Sequence, residues 1–213
     1  MRLYLDVETY RPLDAAPLTG ERLIAVGVLE DWTAYKPESS SVWDGDRVRL
    51  RLFTEWGLGG EARLVRAFYR YLYNIVSGGS SGSIDFVCIV GFNILRYDIP
   101  LLTLKAVEYG VGDLAWASGV WSRAFIVDLF QVYLPGNCMR FKGHTLQSLA
   151  RAAREAGVSV EEPHGSGADV RAWYESRRYW DIEEHLKWDL RASRILDLNY
   201  RRILGHMTSR GCP

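Results

Sequence analysis

The chain is short of cysteine, of lysine and of net charge, and each shortage narrows the class of protein. Its three cysteines, Cys88, Cys138 and Cys212, are an odd number at spacings that match no zinc or disulfide framework, which favours a reducing, cytoplasmic setting. Lys and Arg together number 26, as do Asp and Glu. No overall positive field therefore indicates a nucleic-acid partner, and any such binding must be local.

Long apolar runs are also absent. No segment approaches the length of a membrane span, and the N-terminus lacks the features of a signal peptide, so we expect a soluble protein with no membrane partner. The 213 residues are 48% hydrophobic, which suits one domain over residues 1–205 followed by a short tail over residues 206–213. Among the basic residues 22 are Arg and four are Lys, a bias compatible with phosphate recognition.

Two kinds of apolar periodicity predict the secondary structure. Strands are predicted at Arg2–Thr9, Leu23–Leu29, Val48–Phe53, Ile84–Val90 and Phe125–Leu129. Helices are predicted over 60–76, from Asp98 onward, and over 145–156, 167–176 and 181–204. Residues 31–46 are predicted as a long loop and 78–83 as a flexible linker. An antiparallel meander followed by alternating helix and strand predicts an α/β fold, with a mixed sheet flanked by helices.

The first strand carries two acids, Asp6 and Glu8. Side chains two residues apart in a strand point to the same face, roughly 7 Å apart along the backbone. The two carboxylates repel each other, and no Lys or Arg lies in phase on that face, so a divalent cation is the natural partner. The alternative is a strand end with two solvated acids.

A second acidic motif leaves a buried strand and enters a helix. Asn93 lies at the end of that strand, where its side chain could form a hydrogen bond, and Asp98 opens the helix. Phe92 would offer an apolar face to a nucleobase. The alternative is that Asp98 only stabilises the helix N-terminus, a position that favours a carboxylate.

The third motif lies in the long C-terminal helix. A buried stripe is predicted there at Ile182, Leu186, Ser193, Leu196, Tyr200 and Ile203. His185 and Asp189 fall on the same stripe. They could be a hydrogen-bonded core pair, but burial of an unpaired charge is costly, and a metal partner would remove that cost.

Together the three motifs resemble the DEDD superfamily of 3′–5′ exonucleases, which have the ribonuclease H-like fold. Asp6-Val7-Glu8 is similar to the first family motif, Asn93 with Asp98 to the second, and Asp189 to the third. His185 precedes Asp189 by four residues, which combines the spacing of the Tyr subclass with the residue of the His subclass. The resemblance covers about residues 2–200, and it is nearest to the proofreading domains of family B DNA polymerases and their stand-alone relatives.

The resemblance implies two-metal hydrolysis of the 3′ end of single-stranded DNA. The ligands of the two Mg²⁺ or Mn²⁺ ions would be Asp6, Glu8, Asp98 and Asp189. His185 would orient or deprotonate the attacking water. The implied substrate contacts are Phe92, Asn93 and Tyr97. Further phosphate contacts suggested by their nearness to the motifs are Arg96, Arg140, Lys142 and Lys187.

Three alternatives remain open at the level of sequence. His164 and Asp169 also have the spacing of the His subclass, so Asp169 could replace Asp189 as the fourth acid. Four carboxylates do not distinguish ribose from deoxyribose, so the same site would suit a 3′–5′ exoribonuclease. The change from Tyr to His at position 185 is also compatible with a nucleic-acid-binding module that has lost turnover. His144 and His206 have no acidic partner at a useful spacing.

Overall fold

The fold is built on one five-stranded sheet. The computed structural model describes residues 1–13, 15–33, 47–78 and 86–210. The strands are β1 (Arg2–Tyr10), β2 (Arg22–Asp31), β3 (Val48–Thr54), β4 (Cys88–Gly91) and β5 (Phe125–Asp128). Their order across the sheet is β3-β2-β1-β4-β5. Since β1 to β3 pair antiparallel and β1, β4 and β5 pair parallel, the sheet is mixed. The predicted α/β class is confirmed, and the topology is consistent with a ribonuclease H-like fold.

The central strand β1 extends beyond its parallel neighbour. Residues Arg2, Leu3 and Tyr4 pair with β4, whereas all of β1 pairs with β2. The half of β1 that carries Asp6 and Glu8 is therefore not paired with β4, and other segments can approach it from that side. This extension places both acids at the carboxyl edge of the parallel strands, where ligand sites of α/β sheets commonly form.

Helices cover both faces of the sheet. They are α1 (Glu55–Leu58), α2 (Glu61–Val76), α3 (Asp98–Glu108), α4 (Leu114–Trp121), α5 (Leu129–Tyr133), α6 (Leu146–Glu155), α7 (Val170–Glu175), α8 (Tyr179–Leu198) and α9 (Tyr200–Ser209). One core cluster joins the sheet to α2, α3 and α4, and a second joins it to α5, α6, α8 and α9. None of the helices in the described part of the chain combines the length and apolar content that a bilayer crossing needs.

The predicted elements and the observed ones differ mainly at their ends. The single helix predicted over 181–204 is two helices, α8 and α9, which meet at Asn199. Because α9 continues to Ser209, the tail predicted from residue 206 begins inside a helix. Strand β4 starts at Cys88, and α1, α4 and α5 were not predicted. The predicted loop over 31–46 and linker over 78–83 fall largely outside the described residues.

The cysteines differ from the sequence expectation. Cys138 is disulfide-bonded, although the spacing of the three cysteines indicated no disulfide. Cys88 is buried and free, and Cys212 lies outside the described residues. Cys138 has no other cysteine nearby in the sequence, so no recognisable spacing pattern predicts its bond.

Candidate active site

Strand β1 brings the first two acids to the sheet edge. Asp6 is partly buried and Glu8 is 7% exposed. They alternate with Leu5 and Val7, which point to the opposite face and pack in the core cluster on the α2 side. The alternation confirms that both acids share one face, and the burial of Glu8 contradicts the alternative of a freely solvated strand end.

The turn between β4 and α3 brings in the third acid. Gly91 ends β4 at a point where a Cβ would lie 2.5 Å from the carbonyl oxygen of Leu5, so glycine allows the turn to pass close to β1. Asn93 has a left-handed φ of 62°, which asparagine adopts more readily than most residues. Asp98 is then the first residue of α3 and is 3% exposed. The N-cap position is Tyr97, so Asp98 is not the capping residue.

Helix α8 supplies the fourth acid and an imidazole. His185 is buried, and its Nε2 atom lies 3.7 Å from Oε1 of Glu8 and 3.6 Å from Oδ2 of Asp189. These three side chains form a group whose ligand atoms all lie within 4.8 Å of one another, as a metal site would require. The structure therefore unites residues from the first and third sequence motifs.

Burial, together with neighbouring carboxylates, raises the pKa values of the four acids. Burial raises the pKa of Asp98 to about 7 and that of Asp189 to about 8, and the charge of Asp98 adds to the effect on Asp189. Burial likewise raises the pKa of Asp6 and of Glu8 well above the usual range, with further contributions from Asp189 and Asp98. Because the charge of Asp98 contributes to the raised pKa values of Asp6, Glu8 and Asp189, the four carboxylates belong to one electrostatic site.

The charge of this site is not balanced by the protein. Within the described residues, no Lys or Arg forms an ion pair with Asp6, Glu8, Asp98 or Asp189, and His185 is the basic side chain nearest to them. Burial lowers the pKa of His185, which favours its neutral form. Buried carboxylates without a cation are costly, so the donor set fits divalent ions with a preference for oxygen.

Asp128 is a fifth acid of the site that sequence reasoning missed. Its carboxylate accepts hydrogen bonds from the backbone N–H groups of Asn93 (2.8 Å), Leu95 (3.1 Å) and Phe130 (2.9 Å). It thereby holds the turn that carries Asn93 and Asp98, and its charge contributes to the raised pKa of Asp98. An Asp at the end of a strand parallel to β4 was the available indication.

The second candidate pair does not form a site. His164 Nε2 lies 3.0 Å from Oδ1 of Asp181, whereas the carboxylate of Asp169 is exposed and accepts hydrogen bonds from the backbone and the hydroxyl of Ser166. The structure brings Asp189, not Asp169, together with Glu8. His164 still contributes to the centre, because its carbonyl oxygen lies 2.9 Å from Nδ1 of His185.

The predicted substrate residues lie around the acids. Phe92 is partly buried and packs against Phe130, with ring centroids 5.6 Å apart. Asn93 has a buried Oδ1 atom with no hydrogen-bond partner among the described residues. Tyr97 lines a cavity of about 400 Å³. The other residues that line this cavity are Thr9, Arg11, Pro12, Leu13, Glu21, Gly167 and Arg171.

The predicted phosphate contacts have different surroundings. Arg96 is exposed, and its guanidinium lies 5.7 Å from the ring centroids of both Phe130 and Phe141. Arg140 and Lys142 are exposed in the same region. Lys187 instead forms ion pairs with two neighbouring acids of α8, Glu183 and Glu184. Arg96 therefore belongs to an exposed surface of aromatic and basic groups next to the turn that carries Asp98.

The other two histidines, His144 and His206, contact groups outside the site. His144 is buried, and its Nε2 atom lies 2.9 Å from the carbonyl oxygen of Phe130. His206 lies on α9 with its Nε2 atom 3.9 Å from Glu155. Neither takes part in the group of acids.

Comparison with known proteins supports the fold. The sequence matches no protein-family model and no curated protein sequence. Its structure is similar to that of the family B DNA polymerase from the hyperthermophilic archaeon Pyrobaculum calidifontis, with a TM-score of 0.54 and 18% identity. The similarity covers 94% of this chain and 24% of the polymerase chain, so the chain spans about a quarter of that protein. At this identity the likeness shows a shared fold.

Proposed function

We propose that the chain is a metal-dependent 3′–5′ exonuclease that hydrolyses single-stranded DNA. The observation that carries the proposal is the convergence of Asp6, Glu8, Asp98 and Asp189, from three separate segments, in one partly buried site without a Lys or Arg partner among the described residues. Side chains with strongly raised pKa values in such a site are typical of catalytic or metal-binding centres.

The four carboxylates would hold two divalent ions, Mg²⁺ or Mn²⁺. When bound, such ions activate water and stabilise the leaving 3′ oxygen. Asp128 keeps the turn that carries Asp98 in place through its hydrogen bonds to the backbone. His185 faces Glu8 and Asp189, where either of two roles is open to it, as a base toward the attacking water or as a ligand.

Two surfaces formed by residues near the acids in the sequence are available to a nucleic-acid strand. The cavity lined by Thr9, Tyr97 and Arg171 is in the size range of small-ligand sites. In the sequence, Thr9 directly follows Glu8 and Tyr97 directly precedes Asp98. Near Arg96, Phe141 is 61% exposed and stacks on Phe130 at a centroid distance of 5.7 Å. Aromatic rings with nearby arginines bind single strands through base stacking.

The test is a digestion of DNA labelled at its 5′ end. We expect the purified chain to shorten a single strand stepwise from the 3′ end with Mg²⁺ or Mn²⁺, and to be inactive in EDTA. Asp6→Ala should abolish the reaction. Glu155→Ala, which removes an exposed acid of α6 paired with Arg210, should retain it.

Three other outcomes would each contradict part of the proposal. Full activity in EDTA or in Asp6→Ala would disprove the two-metal hypothesis. Faster digestion of single-stranded RNA than of DNA would indicate an exoribonuclease. Binding of either strand by the metal-loaded protein without cleavage would indicate a binding module of the same fold.

A further inference from the structure

The orientation of His185 is fixed by a contact outside the group of acids. Its Nδ1 atom lies 2.9 Å from the carbonyl oxygen of His164. A carbonyl oxygen can only accept a hydrogen bond, so Nδ1 must carry the proton. In the neutral ring the lone pair is therefore on Nε2, the atom that faces Glu8 and Asp189. The ring is 4% exposed and packs against Trp173, which leaves it little freedom to turn.

The distances around Nε2 do not fit a hydrogen bond. A protonated imidazole that donates to a carboxylate normally lies about 2.7–2.9 Å from the oxygen. The observed separations are 3.7 Å to Glu8 and 3.6 Å to Asp189. Two donors that each lie about 2.1 Å from one ion are about 3.0 Å apart at an octahedral angle and about 3.4 Å apart at a tetrahedral angle. The three ligand atoms lie within 4.8 Å of one another, which is close enough for them to share one cation.

The hydrogen bond to His164 is the usual support of a metal-binding histidine. Such residues donate the second ring N–H to a carboxylate, a water or a backbone carbonyl, which fixes the tautomer and the direction of the free nitrogen. The side chain of His185 is buried, and its Nε2 atom is too far from the carboxylates of Glu8 and Asp189 for a hydrogen bond to either. A neutral lone pair aimed at two carboxylates would be repelled unless a cation lies between them.

We propose that His185 is itself a metal ligand, so that Glu8, His185 and Asp189 form a mixed nitrogen and oxygen site. Imidazole favours first-row transition ions, whereas Mg²⁺ favours oxygen donors. This position therefore selects Mn²⁺ over Mg²⁺. The inference concerns the same site as the proposed function and rests on its binding of divalent ions, and it replaces the role of His185 as a base toward water.

The test detects directly whether a histidine nitrogen is bound to the metal ion. Metal-free protein is loaded with one equivalent of Mn²⁺, and pulsed electron paramagnetic resonance measures nuclear modulation of the Mn²⁺ signal. We expect ¹⁴N modulation that changes to ¹⁵N modulation in protein labelled with [¹⁵N]histidine. This comparison uses the unmutated chain, so it does not depend on the folding of a variant.

Variants then assign the nitrogen to one residue. His185→Ala should lose the modulation and bind Mn²⁺ at least about 10-fold more weakly by calorimetry, since even supporting residues of a metal site are worth about 10-fold to 100-fold. Its affinity for Mg²⁺ should fall less. His164→Ala is the matched control, because it removes an imidazole nearby but keeps the backbone carbonyl that holds His185.

The outcomes separate this inference from the proposed function. Bound Mn²⁺ without nitrogen modulation, or modulation that persists in His185→Ala, would overturn the ligand role of His185. Hydrolysis of a strand by such a protein would leave the proposed function intact and return His185 to the role of a base. Nitrogen modulation in a protein that cleaves neither DNA nor RNA would support the ligand role and reject the exonuclease.

Discussion

Two groups of buried acids lie at opposite ends of β1, each in contact with α8, and their charges are balanced in opposite ways. At the start of β1, Asp197 accepts a hydrogen bond from Tyr4 (2.9 Å) and forms an ion pair with Arg2 (2.9 Å). Beside it, Asp31 forms a buried ion pair with Arg194 (2.7 Å). We call these residues the paired cluster. At the other end of β1, the acids near His185 have no Lys or Arg partner among the described residues.

The contrast separates acids that the protein pairs with its own basic groups from the acids of the candidate active site. Breaking a buried ion pair leaves an uncompensated charge, so the paired cluster depends on the presence of both partners. The acids of the candidate active site carry their electrostatic cost in the metal-free state, and a cation would remove it. A substitution in one group should therefore affect activity, and a substitution in the other should affect stability.

The largest expected effect is on activity at the metal site. Asp189→Ala should lower the rate of strand shortening at least several hundredfold, on the order of the loss of a main catalytic group. Asp169→Ala should change the rate little, because this exposed acid only bonds within its own turn. Steady-state rates on a labelled single strand measure both. The reverse pattern would move the site to His164 and Asp169.

The next effect is on the stability of the paired cluster. Asp31→Asn leaves the guanidinium of Arg194, which is 2% exposed, without its anionic partner. We expect a loss of about 3–5 kcal/mol in the free energy of unfolding, or roughly 10 °C in the thermal midpoint. Asp189→Asn is the matched change at the metal site and should leave the metal-free protein at least as stable. Equal losses in the two variants would remove the contrast.

The smallest effect is a dependence of metal-free stability on pH. The pKa of Asp98 is raised to about 7 and that of Asp189 to about 8, both above the value of about 3.9 for an unfolded chain. Between these limits the folded state binds more protons, so the free energy of unfolding falls as pH rises. From pH 7 to pH 9 in EDTA we expect a loss of about 1–3 kcal/mol by denaturant titration.

Two controls isolate the source of that slope. Asp189→Asn should reduce it, because the variant lacks one of the acids whose pKa is raised. Saturating Mn²⁺ should flatten it as well, because a bound cation keeps the carboxylates ionised throughout the range. A slope unchanged by both treatments would assign the pH dependence to other groups.

The sequence was sufficient to predict which side chains share a face where a charged residue interrupts the apolar pattern of a strand or helix. Asp6 and Glu8 were predicted on one face because a strand alternates, and His185 with Asp189 because a helix repeats every 3.6 residues. The fold class followed from the order of the elements. The roles of these side chains, and of Phe92, Asn93 and Tyr97, stay predictions.

The rest depended on contacts between distant segments, which a sequence pattern does not contain. Asp128 resembles an ordinary helix cap, and it does cap α5 through the N–H of Phe130. Its hydrogen bonds to the turn after β4 form only because β4 and β5 lie side by side in the folded sheet. The break between α8 and α9 at Asn199 likewise leaves no gap in the apolar stripe, because Leu196 and Ile203 are both buried.

Helix α8 runs antiparallel to β1 and touches both groups of acids, His185 beside Glu8 and Asp197 beside Tyr4. Asp189 and Asp197 are about two helical turns apart, and one added residue between them would rotate one group about 100° relative to the other. Substitutions on the outer surface of this segment would be absorbed, whereas a single-residue insertion or deletion could not be. Variation in chain length should therefore accumulate in the loops, and the span of α8 between the two groups should keep a constant length.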